Sequence, residues 1–128
     1  MKDNQIITKN VRRKLTANEV IFRDKVVLIL DDSIVRGNTS SHIIKTARKC
    51  GAKKIYFGSC SPVVKNTNQF GIYIPTKKEL VSYNRNEDEI RKEMDVDHLI
   101  YNDIEEIKKI IKNYNPLIYD FETSMFED

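Results

Sequence analysis

The stretch from Val26 to Ser40, VVLILDDSIVRGNTS, decides the fold. Val26 to Leu30 is a short, wholly apolar run, the kind that forms a central strand of a parallel sheet, buried on both faces. A polar loop, Asp31 to Thr39, follows. From Ser40 to Cys50, Ile43, Ile44 and Ala47 recur at helical spacing, and Gly51 stands where a helix C-cap is expected. Ile55, Tyr56 and Phe57 then make a second short strand. Strand, loop, helix and strand in this order form a βαβ unit. The predicted class is α/β, with a parallel sheet flanked by helices.

Downstream of this unit the chain is rich in helix-start signals. Thr76 and Glu79 are spaced for a capping box ahead of Leu80 and Val81, and Asn86 with Glu89 repeats the spacing ahead of Ile90 and Met94. Leu99 to Tyr101 reads as another short strand. Asp103 with Glu106 opens a helix with a core-facing stripe of Ile104, Ile107, Ile110 and Ile111, closed before Pro116. The tail from Leu117 is weakly patterned.

The 128 residues are enough for one domain, and 40% apolar with 32% charged residues excludes collagen-like and mostly disordered classes. No apolar run reaches the length that spans a membrane, and the first residues lack a signal-peptide stretch. Residues 1–25 carry seven Lys/Arg against three Asp/Glu, whereas the remaining 103 carry fifteen against sixteen, so the positive charge sits in a basic lead-in. Aromatic residues do not interleave with it, which argues against nucleic acid. Cys50 and Cys60 are too few for a disulfide framework and read as reduced, cytoplasmic, small apolar fillers. His42 and His98 are isolated, Lys53 and Lys54 read as solvated charges, and Tyr73 and Tyr83 as packed side chains.

The chemistry lies in Asp31 to Ser40. Two adjacent carboxylates at the C-terminal end of a parallel strand occupy the place where open α/β sheets bind ligands. Their mutual repulsion is relieved by a divalent cation or a hydroxyl-rich ligand. Ser33, Arg36, Gly37, Asn38, Thr39 and Ser40 lead into a helix N-terminus, where backbone amides, hydroxyls and the helix dipole favour an anion. Carboxylates for sugar hydroxyls beside amides for phosphate describe a site for a sugar phosphate. The Gly-x-x-x-x-Gly-Lys pattern of a nucleotide P-loop is absent. Response-regulator and phosphatase-like folds also carry strand-end Asp pairs, but they leave the Arg-Gly-Asn-Thr-Ser helix entry unexplained.

DDSIVRGNTS after VVLIL closely resembles the phosphoribosyl-pyrophosphate loop of type I phosphoribosyltransferases, in the wording of the amidophosphoribosyltransferase family. NVRRKLTANEVIFRDK (Asn10 to Lys25), ARKCGAKKIYFGSCSP (Ala47 to Pro62), FGIYIPTKKEL (Phe70 to Leu80), DEIRKEMDVDHLIY (Asp88 to Tyr101) and FETSMF (Phe121 to Phe126) are similar to successive stretches of that family. The resemblance implies a partial type I phosphoribosyltransferase, or Rossmann-like, fold over residues 26–128. It implies a substrate-binding set of Asp31, Asp32, Ser33, Ile34, Val35, Arg36, Gly37, Asn38, Thr39 and Ser40. Within it, Asp31 and Asp32 hold Mg2+ and the ribose hydroxyls, and Ser33 to Ser40 hold the 5′-phosphate. Asn38 stands where the family pattern has threonine, losing a hydroxyl donor. Arg12, Arg13 and Lys14 belong to a stretch that adjoins a mobile loop in the family.

The implied reaction is the glycosyltransferase step of purine biosynthesis, in which ammonia displaces pyrophosphate from phosphoribosyl pyrophosphate. The stretches matched include neither the glutaminase domain nor the pyrophosphate loop of that family, so the expectation is a truncated or split form, incomplete for catalysis alone. No residue is assigned a catalytic role. No iron–sulfur cluster is expected, because the family's cysteine positions are not matched. Expected partners are phosphoribosyl pyrophosphate or a nucleoside monophosphate, and a complementary chain or second copy. The alternative is a noncatalytic ribose-phosphate or nucleotide-binding regulatory module.

Overall fold

A computed structural model describes residues 19–68, 71 and 73–127. Arg12, Arg13 and Lys14, and most of the basic lead-in, lie outside the described residues. Three strands, β1 (Val26–Asp31), β2 (Lys54–Ser59) and β3 (His98–Ile100), form one sheet in the order β1-β2-β3, and every pairing is parallel. Helix α1 (Asn38–Lys49) makes the crossover from β1 to β2, and α2 (Glu87–Met94) precedes β3. A third helix, α3 (Ile104–Tyr114), follows β3, and a short 3-10 turn spans Lys77–Glu79. This is the expected α/β class. No helix among the described residues is long and apolar enough to cross a membrane.

The core lies on one face of the sheet. Val27 and Ile29 of β1, Ile55 and Phe57 of β2 and Leu99 of β3 point into it, against Ile44 and Ala47 of α1 and Ile90 and Met94 of α2. Phe22, ahead of β1, packs on the same cluster. A second, smaller cluster of Val64, Ile74 and Leu80 receives Met125 and Phe126 from the tail. The amides of Lys65 and Asn66 both donate to the Met125 carbonyl, at 2.7 and 3.0 Å. The weakly patterned tail is therefore docked.

Two local signals hold as read. Asn86 and Glu89 close a reciprocal capping box at the start of α2. Asp103 caps α3 by accepting from the amides of Glu105 and Glu106. Helix α1 starts two residues earlier than expected, at Asn38, because Gly37 in the left-handed conformation (φ 75°) already turns the chain into it.

Other expectations are corrected. β1 is an edge strand of the described sheet, and it is not buried on both faces: Val26, Leu28 and Leu30 are 56%, 56% and 67% exposed. Both α1 and α2 contribute to the core on the opposite face, and nothing described covers these three side chains. α3 contributes no fully buried residue, and Ile110 is exposed, so its stripe is only partly core-facing. Thr76 makes no side-chain cap, because the turn there closes after three residues and Glu79 pairs elsewhere. Cys50 is buried as a filler should be, but Cys60 is exposed just past the end of β2. Tyr73 and Tyr83 are exposed rather than packed.

Candidate functional site

The site starts from the end of a strand. Asp31 is the last residue of β1, and Asp32 begins the loop to α1. Beyond the strand ends, Cys60 N–H donates to the Asp31 carbonyl at 2.9 Å and Ser61 N–H to the Asp32 carbonyl at 3.0 Å. The backbone under both carboxylates is therefore tied to the neighbouring strand. The Asp31 carboxylate accepts the Asp32 amide at 3.0 Å, and the Asp32 carboxylate accepts the Ser33 hydroxyl at 3.4 Å. Each carboxylate can accept several hydrogen bonds, so both retain capacity for a ligand.

Ile34 anchors the loop from below. Its side chain is fully buried in the main core, so it contributes backbone rather than side chain to the loop. Val35 is fixed by its carbonyl, which accepts the Val81 amide at 2.8 Å. Gly37 then adopts φ 75°, and a Cβ there would lie 3.2 Å from Cγ2 of Val81. Glycine meets both demands at this position. No side chain caps α1 and no acidic residue stands in its first turn. The first amides of a helix have no intrahelical partner, and with the dipole they attract an anion.

These residues enclose a cavity of about 550 Å³, lined by Asp31, Asp32, Ser33, Val35 to Ser40 and Tyr73. Nine of the ten residues singled out in the sequence thus face one open space, with the carboxylates at the strand end and the uncapped amides at the helix start. Ile34 is the exception.

Arg36, a member of the expected substrate-binding set, already has a charged partner. Its guanidinium lies 3.0 Å from the Glu79 carboxylate, and both side chains are partly exposed. A surface pair of this kind exchanges readily, so Arg36 is held in reserve beside the cavity. Two lining features, Tyr73 and this pairing, were not legible in the sequence. Both depend on the 73–81 segment folding back over the loop, and no local spacing encodes that.

Among the described residues no group of three or more His, Cys, Asp and Glu could hold a metal by itself. The Asp31–Asp32 pair offers oxygen donors only. That donor set fits Mg2+, which takes one or two carboxylates and completes its shell with substrate oxygens and water. His98 packs edge-on against Tyr56, with ring centroids 4.6 Å apart, in a structural contact on the sheet.

No family model matches the chain. Curated relatives do. The chain is 46% identical over 126 residues to the amidophosphoribosyltransferase of Pasteurella multocida and equally so to that of Escherichia coli, covering 98% of this chain and 25% of each relative. The enzyme of Schizosaccharomyces pombe is 39% identical over 126 residues, 98% of this chain and 23% of its own length. Among solved structures, the allosteric regulatory enzyme of purine biosynthesis superposes with a TM-score of 0.70 at 31% identity, over 84% of this chain and 23% of that one. The glutamine phosphoribosylpyrophosphate amidotransferase of B. subtilis complexed with ADP and GMP gives 0.65 at 29% identity, over 84% and 22%. The chain spans about a quarter of the length of the curated relatives it matches. With the fold superposing on these structures and nearly every residue aligned to these relatives, the chain is a homologue of about a quarter of the length of the amidophosphoribosyltransferases.

Proposed function

We propose that residues 31–40 bind the ribose 5-phosphate moiety of phosphoribosyl pyrophosphate, as the substrate-holding part of an amidophosphoribosyltransferase. The observation that carries this reading is the single cavity joining a strand-end carboxylate pair to the uncapped start of α1. In this arrangement the amides of Asn38, Thr39 and Ser40 take the 5′-phosphate, and the Asn38 side chain adds an amide donor where a hydroxyl donor is lost. Asp31 and Asp32 accept hydrogen bonds from the ribose hydroxyls and are the residues that would hold Mg2+. A bound magnesium would supply charge neutralisation for the pyrophosphate that leaves. The protein's part is to fix the sugar so that ammonia and the departing pyrophosphate lie on opposite sides of C1, a task of positioning rather than covalent chemistry.

Among the described residues no further cluster of charged groups lines this cavity, and the proposed role is to hold the ribose phosphate of the substrate. Among the described residues, β1 also has an unpaired edge and three bare apolar side chains, Val26, Leu28 and Leu30. Parallel strands are stable when both faces are covered. This surface therefore takes further polypeptide of the same enzyme or a second copy of the chain, in the cytoplasm where its thiols stay reduced.

Titration calorimetry with ribose 5-phosphate and phosphoribosyl pyrophosphate, each with and without magnesium, tests the reading. Binding of both ligands is expected, strengthened by magnesium for the pyrophosphate. Replacing Asp31 and Asp32 together by asparagine removes the magnesium effect and leaves phosphate affinity. A folded chain that binds neither ligand at millimolar concentration overturns the assignment.

A further inference from the structure

A second cavity, of about 420 Å³, opens between residues 63–66 and residues 77–85. Lys65, Lys77 and Arg85 line it, and among the described residues the rest of its wall is uncharged. It shares no residue with the cavity around the 31–40 loop. Among the described residues, neither Lys77 nor Arg85 forms a salt bridge. Glu79, Asp88 and Glu89, acidic neighbours in sequence, are engaged elsewhere: with Arg36, with Arg91 and Lys92, and in the capping box.

The wall of this cavity is held in place by the fold. The Ser82 hydroxyl donates to the Val64 carbonyl, and Val64 is buried with Ile74 and Leu80. On the other side, the Asn66 side-chain amide donates to the carbonyls of Ser124 and Glu127, which ties it to the docked tail. Arg85 gives Nη1 to the Val81 carbonyl at 3.0 Å, which fixes the guanidinium. A guanidinium carries five N–H donors, so most of them remain for a ligand. Three cations around one concave space repel each other and raise the local positive potential, which a bound anion relieves. A single orthophosphate leaves part of that charge unmatched, whereas a short chain of linked phosphoryl groups meets all three. The volume lies within the range of small-molecule sites, roughly 300–1,000 Å³.

We propose that this cavity is a second anion site, which takes a compact inorganic polyanion of the short polyphosphate class. Lys65 and Lys77 act on it as point charges. Arg85 offers its free fork to one phosphoryl group while Nη1 stays on the Val81 carbonyl. The site stands on its own residues and does not depend on what the 31–40 loop binds.

Tripolyphosphate and orthophosphate, titrated calorimetrically into the 128-residue chain at low salt, test the site. Tripolyphosphate is expected to bind about tenfold more tightly, since it reaches more of the cations. Lys77→Gln and Arg85→Gln each weaken it about three- to fivefold, and Lys77→Arg keeps the affinity of the unmodified chain. The Lys77 side chain bonds nothing among the described residues, so its variants report binding without disturbing the fold. Lys53→Gln, at an exposed lysine that lines neither cavity, is the control and leaves the affinity unchanged. A chain that binds tripolyphosphate no better than orthophosphate overturns the proposal. So does a Lys77→Gln variant of unchanged affinity, or a loss on Arg36→Gln in its place, which moves the anion to the 31–40 loop. Equal weakening by Lys53→Gln marks general charge attraction and overturns it too.

Discussion

Replacing Gly37 isolates backbone conformation from side-chain chemistry at the start of α1. With φ at 75°, a non-glycine residue there takes a left-handed conformation that costs about 1–2 kcal/mol. Alanine also places a Cβ 3.2 Å from Cγ2 of Val81, closer than comfortable contact. Val81 cannot retreat freely, because it is buried and its amide is bonded to the Val35 carbonyl at 2.8 Å. Gly37→Ala is expected to lower stability by about 1–2 kcal/mol, a fall of roughly 1 M in the urea midpoint for a chain this size. Ribose 5-phosphate affinity falls with it, since a strained loop carries the first-turn amides out of register. Asparagine has the same Cβ but tolerates the left-handed region, so Gly37→Asn should cost visibly less than Gly37→Ala. β-Branched Gly37→Val should cost more than either. Urea melts followed by far-ultraviolet circular dichroism, beside ligand titrations, read both effects. If Asn and Ala cost the same, or if Ala leaves midpoint and affinity untouched, positive φ is not what the loop requires of this position.

Three further outcomes follow from other contacts. The Asp97 carboxylate accepts the Ile55 amide and an Arg48 nitrogen, each at 2.8 Å, and the backbone hydrogen bond from Ile55 leads in holding its pKa below the ordinary 3.8. A depressed carboxyl stabilises fully above its unfolded value and loses that contribution as pH falls through the folded one. Asp97→Asn should therefore cost about 1–2 kcal/mol at neutral pH and flatten acid unfolding below about pH 4, which urea midpoints taken from pH 7 to 2 would reveal. Glu79→Gln releases Arg36 and is expected to raise ribose 5-phosphate affinity roughly two- to fivefold at low salt, with the gain fading as salt rises; an unchanged titration excludes Arg36 from phosphate binding. Leu28→Lys on the bare face of β1 should cost less than about 0.5 kcal/mol and reduce concentration-dependent self-association in sedimentation velocity; a large loss of stability instead means that the face is covered within the chain.

What the sequence disclosed and what it withheld divide along the range of the interactions. The βαβ unit, the capping box at Asn86 and Glu89 and the Asp103 cap all rest on residues within a few positions of one another, so spacing alone announces them. The fate of Glu79 shows the limit. Its spacing from Thr76 satisfies the same capping pattern, but its carboxylate pairs with Arg36, 43 positions away, and a competition between a local and a distant partner leaves no mark in the local pattern. Val26 to Leu30 fails differently. An apolar run on both faces of a strand says that both faces want cover, and β1 has it on one face only. Tyr73 sits in a stretch that offers no period to read, and only the fold of residues 73–81 over the loop brings it to the cavity.

The loop is held firmly within the described residues, whereas β1 beside it has an open edge and a bare face. The loop's geometry is set from three directions, each internal to the described residues. Ile34 is sunk in the core, the Val35 carbonyl is tied to Val81, and the backbone of Asp31 and Asp32 is bonded to Cys60 and Ser61. Those restraints hold the carboxylates and the first-turn amides in place, so the proposed ribose-phosphate binding would need little ordering of the loop. The open edge and bare face of β1 lie on the other side of the same strand, because alternate residues of a strand point to opposite faces. Val27 and Ile29 therefore anchor the strand in the core while Val26, Leu28 and Leu30 stay exposed. One strand thus carries two separable duties, and a substitution on its outer face should disturb assembly without disturbing the phosphate cradle.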